Sequence, residues 1–441
     1  MLKRKILSEL EEWKKQDKKK SLLVLGTRQV GKSYIIKVFA EANYQSNRLV
    51  YINFEENPNE KAFFEGDLNP EAIIQKMKLY RKYQDTNFDY TLPDNPFLFI
   101  FDEIQACPNA ITALKFFTES GKYHVIGTGS LLGISLNRIS SFPVGYVDIK
   151  MMYPLDFEEF LWANGYHHTE ALSTFLDSKP ITPSPVHEQL LSYFRQFIII
   201  GGMPEAVHSF VTNEPFANVL KIQRQIIASY RMDIAKYGDA RTKEKTRDCF
   251  DSIPFQLAKD NKKFQYRYIG KEGGRSRDFD GSLSWLKDSG LVHFCYNITR
   301  LEAPLEGYKI PNQFKIYMCD SGLLVAMLDD GAGEAIISGN LGIYKGAIYE
   351  NAVANCLVDN GHKLFYYEKN NKLEIDFVIR TNDTIVPIEV KSGDNSMSKS
   401  LAAVMGENTL SYGIKLSSKN QGFDEEKRIR SLPIYLLAFI K

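Results

Sequence analysis

The amino-acid sequence predicts an α/β protein built on a parallel sheet, with smaller modules following it. Three observations carry this. A glycine-containing octapeptide follows a short apolar run, a second apolar run ends in two carboxylates, and two strand-like segments near the C-terminus carry acids and a lysine.

The octapeptide Gly26-Thr27-Arg28-Gln29-Val30-Gly31-Lys32-Ser33 lies between Leu22-Leu23-Val24-Leu25 and a helix-forming stretch, Tyr34 to Glu41. It satisfies G-x-x-x-x-G-K-S/T, the phosphate-loop pattern, in the strand-to-helix context that pattern needs. Gly26 and Gly31 let the backbone curl so that successive N–H groups face phosphate oxygens, with a helix N-terminus behind them. Lys32 is expected to reach the β- and γ-phosphates and the Ser33 hydroxyl to bind Mg²⁺.

The run Phe97-Leu98-Phe99-Ile100-Phe101 ends in Asp102-Glu103. Continuous apolar residues predict a strand buried on both faces, as a parallel sheet requires. Open α/β sheets bind ligands at the carboxyl ends of their strands. Asp102 is therefore expected to hold Mg²⁺ through water, and Glu103 to orient and deprotonate the attacking water. His124-Val125-Ile126-Gly127 predicts another strand, followed by Thr128-Gly129-Ser130. Thr128 and Ser130 are both candidates to touch the γ-phosphate or that water. The expected chemistry is binding and hydrolysis of a nucleoside triphosphate.

At 441 residues the chain exceeds the size at which a single core keeps growing, so about two to four domains are expected. A net charge of +1 leaves no global field for a nucleic-acid partner, and any basic surface must be local. Lys3, Arg4, Lys5, Lys14, Lys15, Lys18, Lys19 and Lys20 surround Leu2, Ile6, Leu7, Leu10 and Trp13. That spacing predicts an amphipathic helix with a solvated basic face. Five scattered cysteines without a C-x-x-C pair fit reduced thiols and exclude a zinc or disulfide framework. No apolar stretch approaches the ~20 residues of a membrane span, and the charged first residues lack a signal core. A soluble, cytoplasmic protein without a membrane partner is expected.

Tyr153 to Leu161 begins a helical region, broken by the proline-rich stretch Lys179 to Pro185 and resumed over Leu190 to Phe197. After the turn Gly201-Gly202-Met203-Pro204, Glu205 to Tyr237 is mostly helical, and the whole predicts a small lid. From about 240 to 330 the order is helix, basic loop, helix (Phe279 to Asp288) and strand (Leu291 to Tyr296), as in a winged-helix module. The loop Lys271 to Arg277 suits either a DNA contact or an exposed linker.

Near the C-terminus, Lys372 to Arg380 and Ile385 to Lys391 predict two strands joined at Asn382-Asp383, residues that tolerate a tight turn. In a two-residue hairpin, opposed residue numbers sum to 765, which sets Asp376 against Glu389. Opposed carboxylates repel unless a cation lies between them, so a second divalent metal, Mg²⁺ or Mn²⁺, is expected there. Glu389 and Lys391 share a face, which places an ammonium to activate water or stabilise a phosphorane. A helix over Ala347 to Ala354 offers Glu350 as another carboxylate. Helix acid, strand acid and E-x-K strand match the nuclease motif PD-(D/E)XK, as either an active metal site or a scaffold that retains the acids.

These residues together resemble a bacterial and archaeal family of AAA+-type ATPases with a C-terminal domain of unknown function and endonuclease-like fold. Besides the phosphate loop and the Asp102-Glu103 strand, the resemblance rests on several runs. They are Thr128-Gly129-Ser130, Tyr153-Pro154-Leu155, Gly201-Gly202-Met203-Pro204-Glu205, Phe314-Lys315-Ile316-Tyr317, Asp320-Ser321-Gly322-Leu323-Leu324, Lys345-Gly346 to Glu350, and Glu389-Val390-Lys391-Ser392-Gly393. It implies ATP as the nucleotide, an AAA-type core over 1–165, a helical lid over 166–238, a winged-helix-like domain over 239–330 and a nuclease-like domain over 331–441. The family usually has Gly-Arg where this chain has Gly145-Tyr146, which puts an arginine finger at that place in doubt. Arg138 is a nearby substitute. The leading expectation is an ATP-driven machine acting on DNA through a metal-dependent C-terminal domain. The alternative is a nucleotide-dependent switch whose C-terminal domain is a non-catalytic protein- or DNA-binding scaffold. Oligomeric state stays open.

Overall fold

The computed structural model describes residues 2–89, 91, 96–130, 143–176, 182–236, 238–269, 274–328, 344–369, 373–381, 383–392, 398–407 and 409–440. Arg138, Lys271 to Gly273 of the basic loop, Lys372, Asn382 and Gly393 lie outside the described residues. The chain forms two compact units, one of Lys3–Tyr153 with Asp288–Gly290, the other of Met1–Leu2, Pro154–Lys287 and Leu291–Lys441.

In the first unit, strands β1 (Ser21–Gly26), β2 (Leu49–Asn53), β3 (Leu98–Asp102), β4 (His124–Ser130) and β5 (Val147–Met151) form one sheet in the order β2-β3-β4-β1-β5. Every pairing in it is parallel. A parallel sheet must be covered on both faces, and the fully buried strands β1 and β3 answer that demand. Phe54, Phe64, Phe97, Phe99, Phe101 and Phe117 lie in its main apolar cluster. This strand order, with the phosphate loop after β1 and the acids after β3, is that of the P-loop AAA+ fold. The predicted basic helix is present as Ile6–Lys15, burying Ile6, Leu10 and Trp13. Arg4 is an exception to the solvated basic face, because its side chain is buried.

In the second unit, helices Phe157–Ala163, Ser184–Ile200, Pro204–Val211 and Phe216–Ile234 occupy the predicted lid stretch. The turn Gly201-Gly202 is locked to a distant element. Asp320 accepts hydrogen bonds from the Gly202 N–H (2.6 Å) and the Leu323 N–H (2.9 Å). Gln223 Nε2 donates to the carbonyls of Ile199 and Ile200. A Cβ at Gly202 would lie 2.0 Å from the Leu155 carbonyl oxygen. Gly202→Ala is therefore expected to destabilise this unit by at least the ~1–3 kcal/mol of an overpacked core, read as a lower denaturation midpoint. Two of the runs behind the resemblance, around Gly202 and Asp320, thus serve packing.

Helices Ala240–Leu257 and Asp280–Asp288 follow. Then β6 (Val292–Ile298), β7 (Lys309–Met318), β8 (Phe365–Lys369), β9 (Leu373–Thr381), β10 (Thr384–Val390), β11 (Gly413–Ser417), β12 (Gly422–Asp424) and β13 (Ile429–Pro433) form a mixed sheet. Its order is β12-β13-β11-β10-β9-β8-β6-β7. The expected boundary at 330/331 falls inside this sheet. β6 and β7 are antiparallel, as a wing would be, but β6 also pairs parallel with β8, Tyr296 opposite Phe365. One apolar cluster joins Ile298, Leu301 and Leu305 to Phe365, Ile375, Val378 and Leu401. Among the described residues no helix is long and apolar enough to cross a membrane.

Candidate functional site

The carboxyl ends of β1, β3 and β4 bring the phosphate-loop and acidic residues together. Gly26 ends β1 where a Cβ would lie 2.1 Å from the Met152 carbonyl oxygen, so only glycine fits. Gln29 and Gly31 take φ of +66° and +88°, and the helix Lys32–Asn43 starts directly after. Lys32 is buried, and its Nζ donates to the carbonyls of Gly26 (3.1 Å) and Thr27 (2.7 Å). Burial lowers its pKa to about 8, with Glu103 and Asp102 opposing the shift and Arg28 adding to it. The cationic form, which attracts phosphate, is therefore present below that pH.

Ser33 Oγ donates to Asp102 Oδ1 at 2.9 Å, so the two oxygen ligands expected for Mg²⁺ are adjacent. Hard oxygen donors of this kind fit that ion. The Tyr51 hydroxyl, in β2, donates to Asp102 Oδ2, which fixes the carboxylate from its other side. Glu103 follows at φ +50°, an uncommon conformation for a residue with a side chain. Such strain costs about 1–3 kcal/mol and clusters at functional sites. Burial, then the charges of Glu55 and Asp102, raise the Glu103 pKa, while Gln105 and Lys32 oppose this. A raised pKa strengthens a carboxylate as a base.

Register separates the two hydroxyl candidates on β4. Ser130 lies opposite Gly26, at the loop itself, whereas Thr128 lies opposite Val24, one step down the same face. The Thr128 and Thr27 hydroxyls are buried without a hydrogen-bond partner among the described residues.

Arg4, Tyr51 and Glu55 were not expected from sequence. Arg4 donates to the Val30 carbonyl (3.0 Å) inside the phosphate loop and to the Tyr153 carbonyl (2.7 Å). One side chain thus ties the loop to the segment beyond β5. Alternation along β2, which puts Tyr51 and Asn53 on one face, is the signal that could have found Tyr51.

The C-terminal acids are arranged differently. The hairpin register that sums to 765 holds from Thr384↔Thr381 to Ile388↔Phe377. Next to it, Asp376 Oδ2 accepts from the Val390 N–H at 2.7 Å. Glu389 Oε1 pairs with Lys391 Nζ at 2.6 Å, and its Oε2 is buried without a partner among the described residues. Glu350, on the helix Lys345–Asp359, accepts from Lys262 Nζ and from the Tyr317 hydroxyl (3.1 Å), with Lys315 Nζ at 3.9 Å. Burial and the Glu350 charge push the Asp376 carboxyl up to about 7, against Lys315 and Lys262. Among the described residues no three His, Cys, Asp or Glu side chains gather to hold a metal ion. Lys262 and Lys315 at Glu350 and Lys391 at Glu389 supply the positive charge beside these acids.

Fold and site together define the class, a P-loop unit of the AAA+ type followed by a mixed α/β unit. Residues 18–161 match the family model described as AAA domain. Residues 191–334 and 345–437 match two others, Domain of unknown function (DUF8612) and Domain of unknown function (DUF4143). No curated protein matches the chain. Solved structures to which the chain is similar include the Aeropyrum pernix ORC1 protein in complex with DNA, at 12% identity and TM-score 0.29, over 76% of this chain and 91% of that one. Drosophila ORC bound to DNA matches at 13% identity and TM-score 0.27, over 70% and 90%. AMPPCP-bound DnaA from Aquifex aeolicus matches at 11% identity and TM-score 0.27, over 63% and 73%.

Proposed function

We propose that the chain is a Mg²⁺-dependent ATPase whose nucleotide cycle drives a DNA-binding module that does not cleave. The observation that carries the ATPase reading is the contact of Ser33 with Asp102, with Glu103 next in sequence. Loop N–H groups and Lys32 bind the phosphates, and Ser33 and Asp102 hold the magnesium ion, which neutralises charge on the phosphate oxygens when bound. Glu103 takes a proton from water as its oxygen bonds to the γ-phosphorus and the bond to the β–γ bridging oxygen breaks. ADP and phosphate leave. Ser130, at the end of β4, is the better placed of the two hydroxyls to contact the γ-phosphate.

Lys32 gives this reading a pH signature. Its pKa of about 8 means that above pH 8 the free protein must take up a proton to present an ammonium to ATP. Affinity is expected to be level up to about pH 8 and then to fall by about tenfold per unit, since one pH unit is worth about 1.4 kcal/mol. Calorimetric titration of ATP between pH 7 and 9 checks it. Affinity that stays level to pH 9 would show that burial does not lower the Lys32 pKa in the free protein.

The DNA reading is supported by an exposed basic and aromatic patch in the second unit. Phe255 and Tyr268 are 52% and 37% exposed, with ring centroids 5.7 Å apart. Lys259 Nζ lies 4.1 Å from the Phe255 ring and the Arg267 guanidinium 4.7 Å from that of Tyr268. Aromatic platforms beside cations suit single-stranded DNA, where stacking contributes about 1–3 kcal/mol per base. Tyr268→Ala is expected to weaken anisotropy-detected binding of a single-stranded oligonucleotide about 5- to 150-fold, and wild-type affinity to fall steeply with salt. ATPase rates with and without that oligonucleotide test the coupling. Hydrolysis with neither binding nor stimulation would return the chain to the switch reading.

A further inference from the structure

The Glu350 cluster holds more positive charge than a nuclease constellation needs. Lys315, on β7, is fully buried. Its Nζ lies 2.5 Å from Glu374 Oε1 and 3.9 Å from Glu350 Oε2. Burial works against the charge, yet Glu350, Glu374 and Asp376 together hold the Lys315 pKa above the ordinary lysine value. Lys262 covers the other Glu350 oxygen, and the next residue, Lys263, pairs with Glu368 at 2.7 Å. These lysines reach the acids from outside the 331–441 stretch.

We infer that Lys315 is the resident counter-cation of Glu350 and Glu374, standing in for the divalent ion that Asp376 would otherwise help to hold, and that Lys262 completes the neutralisation. The acids become a clasp. Glu350 through Lys262, and Glu368 through Lys263, anchor the segment that leads from Lys259 to the exposed Arg267 and Tyr268. A charge buried in low dielectric must be paired, and a lysine ammonium meets that need here without a metal. The inference rests on the non-cleaving reading of this unit, and its test involves neither ATP nor DNA, so the two can fail separately.

The experiment is calorimetric titration of Mn²⁺ into the nucleotide-free full chain. Wild type and Asp376→Asn are expected to give the same isotherm, with no binding that depends on Asp376. Lys315→Met, which keeps the stem and removes the charge, is expected to gain one Mn²⁺ site that disappears again in Lys315→Met/Asp376→Asn. Its melting temperature is expected to drop by several degrees and to recover in part when Glu350→Gln is added, as coupled groups do. If Lys315→Met does not fold, the wild-type and Asp376→Asn comparison still decides, together with Lys262→Met, which alters the less buried partner. Asp376-dependent Mn²⁺ binding by wild type would overturn the inference. So would a folded Lys315→Met that binds no Mn²⁺.

Discussion

Lys32→Ala is expected to abolish productive ATP binding while leaving the protein folded. The Lys32 ammonium is buried beside the loop carbonyls of Gly26 and Thr27, and no other lysine lies in the octapeptide. Truncating one partner of a buried charge pair costs roughly 2–5 kcal/mol, or about 30- to 4,000-fold in affinity. Stability should hold, because burial already disfavours the Lys32 charge, as its lowered pKa shows. Titration with a fluorescent ATP analogue, alongside a thermal melt, separates lost affinity from unfolding. A folded variant that binds ATP as wild type does would remove the loop from its assigned place.

Glu103→Gln should behave in the opposite way, retaining ATP and losing turnover. The amide preserves size but cannot accept the water proton, and general-base groups contribute roughly 10²–10⁴-fold. The left-handed backbone at Glu103 is as accessible to glutamine as to glutamate, so the turn after β3 is kept. Single-turnover hydrolysis at saturating ATP is the measurement. Hydrolysis at the wild-type rate would transfer the base to another group, with Glu55, whose charge acts on Glu103, the first alternative.

The first unit was legible because each of its motifs is contained in one stretch of chain. A glycine pattern, an apolar run and two acids state their place in a sheet without a distant partner. Register places Ser130 opposite Gly26 and Thr128 opposite Val24, a difference that spacing alone could not show. Arg4 was hidden for the opposite reason. It sits in a run of basic residues that reads as solvated surface, and only the fold brings it to Val30. The same limit applies to Lys315. Its run, Phe314 to Tyr317, carries no sign that Glu350, Glu374 and Asp376 will be its neighbours. The hairpin register is set by local geometry, and Glu389 finds Lys391 two residues on, but the lysines that pair with Glu350 and Glu374 come from segments whose contacts are set by non-local pairing.

That pairing of β6 with β8 also bears on how the chain is made. A ribosome delivers β6 and β7 well before β8, so the nascent hairpin forms with the outer edge of β6 still open. Unpaired edges invite pairing with other chains, and incompletely folded species are where aggregation begins. Until Phe365 to Tyr367 emerge, the segment has no native partner to close that edge. Interrupted translation between the two strands would therefore release a product with one side of a sheet exposed, a target for chaperones rather than a freestanding module.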